Sequence, residues 1–132
     1  MTANDSTAIL LFAHGSRAEE ANRAVREAAC QVERLGPYGY VRAAFLQLAH
    51  PSLEEAVAEA VAVGRRRVIV IPYFLTGGVH VRRDLPNLIA PVTEKYPGLS
   101  IKVGQGLEGH PLVAAIIIGR IQEVIQAAEA TP

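Results

Sequence analysis

Apolar residues form two kinds of run along the chain, and the first kind predicts four β-strands. Residues 8–13 (AILLFA) and 67–74 (RVIVIPYF) are almost continuously apolar and of strand length. Such runs are typical of parallel strands that are buried on both faces. Two weaker runs, 40–48 (YVRAAFLQL) and 100–105 (SIKVGQ), complete a set of four. Pro72 has no amide hydrogen to donate, so we expect it near the end of its strand.

The second kind of run has helical spacing and predicts a helix after each strand. In 17–35, apolar residues recur every three or four positions opposite a charged face. The next helix begins with Ser52 and Glu55, the sequence signature of a capping box, and ends at Gly64.

Two further helices are predicted in the second half of the chain. The third is expected from Val81 or Arg83 towards Tyr96, with Pro86 in or just after its first turn. The fourth begins at His110-Pro111, because proline suits the first helical position.

The resulting order is βαβαβαβα within 132 residues, which fits a single domain over 1–132. Right-handed crossovers turn this order into an open parallel sheet with helices on both faces. We therefore predict an α/β fold with a four-stranded parallel sheet in the order 2-1-3-4.

Charge and cysteine content narrow the function classes. Thirteen basic and thirteen acidic side chains balance, which argues against a binder of nucleic acid or of an anionic membrane. The apolar run 8–13 is too short for a signal peptide or a membrane span. The single cysteine, Cys30, has no partner for an intrachain disulfide, and we interpret it as a small apolar residue rather than a nucleophile. We expect a soluble cytoplasmic protein.

The four histidines each follow one of the four predicted strands: His14, His50, His80 and His110. In open parallel sheets the carboxyl ends of the strands form one edge, and ligands bind there where the strand order reverses. In the order 2-1-3-4, strands 1 and 3 are neighbours at that point. His14, at the end of strand 1, and His80, in the loop after strand 3, are therefore expected to face one cleft. His50 and His110 each precede a helix, where a structural role at the helix start is the leading interpretation.

Two facing histidines favour one of two chemistries. Neutral imidazole binds divalent ions such as Co²⁺, Ni²⁺, Fe²⁺ and Zn²⁺. A structural zinc site would need about four ligands, usually with cysteines, so a metal held by His14 and His80 would be one that is handed on. The alternative is an acid/base pair for proton transfer.

The surroundings of the two histidines predict an acidic substrate. A helix N-terminus follows His14 and favours anions, arginines follow His80, and a glycine pair precedes it. The residues expected to contact this substrate are Gly15, Ser16, Arg17, Gln47, Gly77, Gly78, Arg82 and Arg83. No phosphate-binding loop of the Walker type is present, so we expect no nucleotide.

Four segments resemble the class II chelatases, specifically the short sirohydrochlorin chelatases. They are LLFAHGSR (10–17), AFLQLAHPSL (44–53), VIVIPYFLTGGVHVRRDLP (68–86) and GLEGHPLV (106–113). The resemblance implies a flavodoxin-like half-size unit that forms a homodimer. It also implies insertion of Co²⁺ or Fe²⁺, with Ni²⁺ used by some relatives, into sirohydrochlorin during cobalamin or siroheme biosynthesis. The metal-handling histidines of the family fall on His14 and His80.

The sequence departs from the family pattern at two positions. Many members carry glutamate where this chain has Gln47, and His50 replaces an acidic or amide residue. His50 is therefore a candidate to take over as metal ligand or base. The loss of the acid also raises the alternative of a non-catalytic carrier of metal or tetrapyrrole.

A third hypothesis is a histidine phosphatase, because AHGS follows a strand as the RHG signature of those enzymes does. That chemistry needs an arginine before the histidine to bind phosphate. This chain has Ala13 there, so we rank the phosphatase last.

Overall fold

The computed structural model describes residues 6–75 and 78–130, with the side chains of 78–82 outside the description. Its four strands are β1 (Thr7–Ala13), β2 (Val41–Phe45), β3 (Arg67–Pro72) and β4 (Ser100–Val103). They form one parallel sheet in the order β2-β1-β3-β4. The predicted α/β fold and strand order are confirmed.

The four helices alternate with the strands as the periodicity predicts: α1 (Glu19–Leu35), α2 (Leu53–Ala62), α3 (Gly78–Lys95) and α4 (Pro111–Ala130). The capping box of α2 is present, since the Ser52 hydroxyl accepts from the Glu55 amide and the Glu55 carboxylate accepts from the Ser52 amide. Each such cap stabilises a helix by about 1 kcal/mol.

β1 lies at the centre of the sheet, and every one of its residues is buried. Its side chains alternate between two cores. Leu10 and Phe12 face α2 and α3 together with Val68 and Val70 of β3. Ile9 faces α1. This two-sided burial explains why the sequence of β1 is apolar without alternation.

The spacing of apolar residues predicts a buried face of α1 that differs from the observed one; the predicted residues are Ala18, Ala21, Val25, Ala28, Val32 and Leu35. Its buried residues are Asn22, Val25 and Ala29, whereas Leu35 is 82% exposed. Helical spacing alone cannot tell which of two adjacent stripes packs on the sheet when both contain small alanines. Cys30 directly follows the buried Ala29 and is itself exposed.

The start of α3 corrects two predictions. The helix begins at Gly78, so the backbone of His80 lies in its first turn and not in a loop, and Pro86 lies in the helix interior together with Pro91. A proline is best tolerated in the first turn of a helix, because it lacks an amide hydrogen. Here Leu85 and Val92 are buried in the core, and their packing holds the helix on both sides of Pro86.

α4 stands apart from the sheet. No residue of this 20-residue helix is buried, although its sequence is strongly apolar. By length and composition alone it is the one helix, among the described residues, that is long and apolar enough to cross a membrane.

Candidate functional site

The end of β1 is fixed by hydrogen bonds to both neighbouring chain segments. The amide of Leu46 donates to the carbonyl of Ala13 at 2.9 Å, and the amide of Gln47 donates to the carbonyl of His14 at 3.1 Å. On the other side, the amide of Tyr73 donates to the carbonyl of Phe12 at 2.7 Å. The backbone of His14 is therefore held at the carboxyl edge of the sheet.

The side chain of His14 is exposed but not free of contacts. Its imidazole packs on the ring of Phe74, with 4.4 Å between the ring centroids and 48° between the planes. Phe74 is buried and meets Phe12 edge to face. The core thus supports one side of the imidazole and leaves the rest open to a ligand.

Gly15 is required by the turn that follows His14. Its φ is +86°, a conformation that side chains rarely adopt. A Cβ at this position would lie 1.7 Å from the carbonyl oxygen of Gln47. The chain can pass this close to the 46–48 segment only with glycine.

The side chain of Asn22 holds the same turn by two hydrogen bonds to the backbone of Ser16. This residue was not predicted from the sequence. It is 2% exposed. Its carbonyl oxygen accepts from the Ser16 amide at 2.9 Å, and its amide group donates to the Ser16 carbonyl at 2.8 Å. The sequence does contain a sign of this role, because Asn22 is a polar residue in line with the apolar Val25 and Ala29 of the same helix face.

At the predicted anion site, at the start of α1, two backbone amides already donate hydrogen bonds to side chains of this chain. The Ser16 amide is bound by Asn22, and the Ser16 hydroxyl accepts from the Ala18 amide at 3.0 Å. Glu19 and Glu20 place negative charge in the first turn. Hydrogen bonds from Arg26 and Asn22 hold the pKa of Glu19 below its usual range. Arg17 is exposed and stays a predicted contact for an anionic group.

His50 is tied to the start of α2. Its Nδ1 lies 2.9 Å from a carboxylate oxygen of Glu55, and its carbonyl accepts from Arg26 at 3.3 Å. Hydrogen bonds from the Ser52 amide, first of all, and from His50 lower the pKa of the Glu55 carboxyl group to about 2. The structural role predicted for His50 is therefore present. Its Nε2 faces away from this bond, so its role as a metal ligand stays a prediction.

His110 behaves as a helix cap. Its Nδ1 accepts a hydrogen bond from the amide of Leu112 at 3.1 Å, in the first turn of α4. This partner satisfies one of the amides that a helix start leaves unpaired.

The second predicted metal ligand is located by its backbone only. His80 lies in the first turn of α3, which follows β3, and β3 pairs directly with β1. His14 therefore directly follows β1, and His80 lies in the helix that follows the neighbouring strand β3; that the two side chains face one cleft stays a prediction. Gly78 is the first residue of α3 and Arg83 is exposed. The side chain of Arg82, like that of His80, and the whole of Gly77 lie outside the described residues.

An apolar groove lies between the ends of β1 and β2 and the helices α2 and α3. It has a volume of about 260 Å³ and includes Phe12, Phe45, Leu46 and Leu88. A larger groove of about 560 Å³ lies between α1 and the edge strand β2. Neither of these two grooves is lined by His14.

Among the described side chains, no group of three or more His, Cys, Asp or Glu residues could hold a metal ion. The side chain of His80, the second predicted ligand, lies outside the described residues.

Comparison with known proteins decides the family. The CbiX family model matches residues 8–124. The chain belongs to the CbiX family. The match includes His14, His50, His80 and His110, and so covers the whole edge described above.

Two relatives of this CbiX protein are sirohydrochlorin chelatases. A chloroplastic sirohydrochlorin ferrochelatase of Arabidopsis thaliana is 32% identical over 125 residues, which are 95% of this chain and 56% of that protein. A sirohydrochlorin cobaltochelatase of Methanopyrus kandleri is 29% identical over 138 residues, covering 89% of this chain and 96% of the relative. The chain thus spans about half of the plant protein and nearly all of the archaeal one.

Solved structures agree on the fold. A cobalamin (vitamin B12) biosynthesis CbiX protein from Marinobacter aquaeolei VT8 matches with a TM-score of 0.81 at 26% identity, over 92% of this chain and 98% of that one. The sirohydrochlorin chelatase SirB of Bacillus subtilis subspecies spizizenii, in complex with cobalt, matches with a TM-score of 0.82 at 24% identity. This chain covers 51% of SirB, and at that identity the likeness concerns the fold alone.

Proposed function

We propose that this protein inserts a divalent metal ion, Co²⁺ or Fe²⁺, into sirohydrochlorin, as a step of cobalamin or siroheme biosynthesis. The observation that carries the proposal is the exposed His14, held on Phe74 at the edge of the sheet in a chain whose CbiX match runs from residue 8 to 124. The names of the relatives supply the substrate.

The chemistry suits the residues. The metal is a substrate, and a neutral imidazole binds such ions without adding charge. Because few protein groups hold the ion, it transfers readily to the four nitrogens of the macrocycle. Insertion releases two pyrrole protons, which histidines at the edge can accept. Arg17 and Arg83, both exposed, are proposed to meet the carboxylates of the substrate.

The choice among Co²⁺, Fe²⁺ and Ni²⁺ is not set by histidine alone. Affinity for such ions follows an intrinsic order, and selection depends on geometry and availability. We propose His14 and His80 as the metal ligands and His50 as an additional one. The pairing of His50 Nδ1 with Glu55 supports its inclusion, because ligating histidines commonly donate their second nitrogen to a carboxylate.

We further propose that the enzyme acts as a homodimer in the cytoplasm. The side chain of His14 is exposed at the carboxyl edge of the sheet, where a flat macrocycle would lie against one face of the subunit. A second copy would cover the other face of the macrocycle.

The test is metal insertion measured with the purified protein. Sirohydrochlorin and Co²⁺ or Fe²⁺ are mixed without oxygen, and the change in the visible spectrum gives the rate. We expect the protein to accelerate insertion and His14→Ala to lower the rate at least tenfold. The matched control is His110→Asn, which keeps an acceptor at the start of α4 and should retain the parent rate.

A non-catalytic carrier is the alternative, favoured by the exposed Gln47 beside His14. A carrier would bind metal or tetrapyrrole stoichiometrically. In that case insertion would proceed at the rate of the uncatalysed mixture, and a single-turnover experiment with protein in excess separates the two functions. Unchanged insertion by His14→Ala would remove the role given to this residue.

A further inference from the structure

Arg26 joins α1 to the loop that carries Gln47 and His50. Its guanidinium group donates to the backbone carbonyl of His50 at 3.3 Å, across 24 residues of the chain. The same group lies over the ring of Phe45, the last residue of β2, at 5.3 Å from the ring centroid. A planar guanidinium can stack on a ring and donate hydrogen bonds in its own plane at the same time. Arg26 therefore contacts both the end of β2 and the far end of the loop that follows it.

Helix α1 holds the guanidinium group of Arg26 from the other side. The group forms an ion pair with Glu19, two helical turns earlier. Glu19 also accepts a hydrogen bond from the side chain of Asn22 at 3.3 Å. The buried Asn22 in turn makes two hydrogen bonds to the backbone of Ser16. A chain of hydrogen bonds thus connects the turn after His14 to the loop after β2.

A backbone hydrogen bond closes this chain of contacts into a ring. The amide of Gln47 donates to the carbonyl of His14 at 3.1 Å. One connection between the two segments is therefore made by the backbone, and the other by three side chains of α1. Residues 47–50 lie between the two connections. Because hydrogen bonds in a network support one another, loss of the side-chain connection should also weaken the backbone connection.

The 47–50 segment needs such support. Gln47, Leu48 and His50 are exposed, so burial of apolar surface contributes little to holding them in place. Leu48 also has a φ of +64°, which is unfavourable for a bulky residue and persists only where the surroundings impose it. The hydrogen bond from Arg26 contacts the segment two residues after Leu48.

We propose that Arg26 is a positioning residue for metal insertion, which keeps Gln47 and His50 at a fixed position relative to His14. The inference rests on the function proposed above, because Arg26 acts only through residues of that site. Without Arg26 the assembled site should form in a smaller fraction of the molecules, and activity falls with that fraction. Sirohydrochlorin binding should change less, because its carboxylates are assigned to other arginines.

The first experiment follows the backbone amide of Gln47 in the metal-free protein by hydrogen exchange with NMR detection. This amide is bonded to the His14 carbonyl, so its exchange rate reports how often the segment separates from the turn. Arg26→Met removes the hydrogen bonds and keeps an unbranched apolar side chain over Phe45. We expect it to raise the exchange rate of this amide by about tenfold.

Two comparisons make this experiment decisive. Arg23→Met removes the same charge from an exposed position of the same helix and should leave the exchange of the Gln47 amide at the parent rate. The amide of Val70 in the core reports global unfolding. Parent-like exchange of Gln47 in Arg26→Met, or an equal rise at Val70, would overturn the proposal. No metal or tetrapyrrole is present, so a failed chelatase assay leaves this result unaffected.

The second experiment measures Co²⁺ insertion into sirohydrochlorin by the folded variants. Arg26→Met should lower kcat by about tenfold and leave KM for sirohydrochlorin within about twofold of the parent. Glu19→Gln should lower kcat as well, and the double variant should be no slower than Arg26→Met, because both changes open the same chain of contacts. A parent-like kcat in Arg26→Met, or losses that multiply in the double variant, would contradict the positioning role.

Discussion

The imidazole of His14 rests on the ring of Phe74, with 4.4 Å between the ring centroids. Phe74 follows β3 and His14 follows β1, so the contact joins the two neighbouring strands at the point where the strand order reverses. A buried aromatic ring therefore orients the exposed group that we propose as metal ligand.

Removing this ring should impair catalysis more than folding. We expect Phe74→Leu to lower the insertion rate by about twofold to tenfold, because a ring–ring contact contributes about 0.5–1.5 kcal/mol beyond its area. Phe74→Tyr keeps the ring and should restore the rate. Phe12→Leu is the control, since Phe12 packs on Phe74 but not on His14. Equal rates for Phe74→Leu and the parent would show that the ring does not position His14.

The turn at Gly15 can be tested against a second glycine of similar conformation. Gly15 has φ +86° and Gly64 has φ +89°, but only Gly15 has a neighbour within 4 Å of its missing Cβ. Gly64→Ala should cost about 1–2 kcal/mol of unfolding free energy, the penalty of the left-handed conformation. Gly15→Ala should cost clearly more, because the Gln47 carbonyl must also move. Urea denaturation measures both, and similar losses would mean that the close approach is easily relieved.

Asn22 should matter for both stability and activity. Asn22→Ala leaves the half-buried amide and carbonyl of Ser16 without the Asn22 side chain, which costs about 1 kcal/mol. It also releases the turn that carries His14, so the insertion rate should fall in protein that is still folded at the assay temperature. Asn87→Ala, at an exposed position of α3, is the control. Full activity in folded Asn22→Ala would limit this residue to a structural role.

The contribution of Glu55 to stability should fall as the pH is lowered. The pKa of its carboxyl group is lowered from an ordinary 4.5 to about 2, so the charged form is favoured by folding. Its contribution to stability is present above pH 4.5 and is lost as the pH falls towards 2. The difference in melting temperature between the parent and Glu55→Gln should therefore shrink across that range. Glu27→Gln, on the exposed surface of α1, should show no such trend.

Restoring an acid at position 47 tests the departure from the family pattern. The backbone amide of Gln47 donates a hydrogen bond to the backbone carbonyl of His14. The side chain of residue 47 therefore starts close to His14, the proposed metal ligand. Gln47→Glu should tighten Co²⁺ binding roughly thirtyfold, because a unit charge about 4 Å from a divalent ion in water contributes about 2 kcal/mol. Calorimetry measures this, with Gln31→Glu on the outer face of α1 as the control. Identical affinities would place residue 47 outside the metal site.

The sequence alone was sufficient for the framework of this protein. The continuous apolar runs of β1 and β3 predict buried parallel strands, because a strand covered on both faces has no polar side. The alternation with helical segments then limits the connections to right-handed crossovers and leads to the order 2-1-3-4. Since the carboxyl ends of parallel strands share one edge, His14 could be assigned to that edge as well, and the same rule leads to the prediction for His80.

Other features were decided only by tertiary packing. The position of α3 around Pro86 depends on the burial of Leu85 and Val92, which outweighs the local cost of a proline. The support of His14 by Phe74 and of Ser16 by Asn22 joins residues whose spacing in the chain gives no sign of contact. The exposure of α4 could not be read from its composition, because apolar residues show that a helix needs a partner but not which surface supplies it.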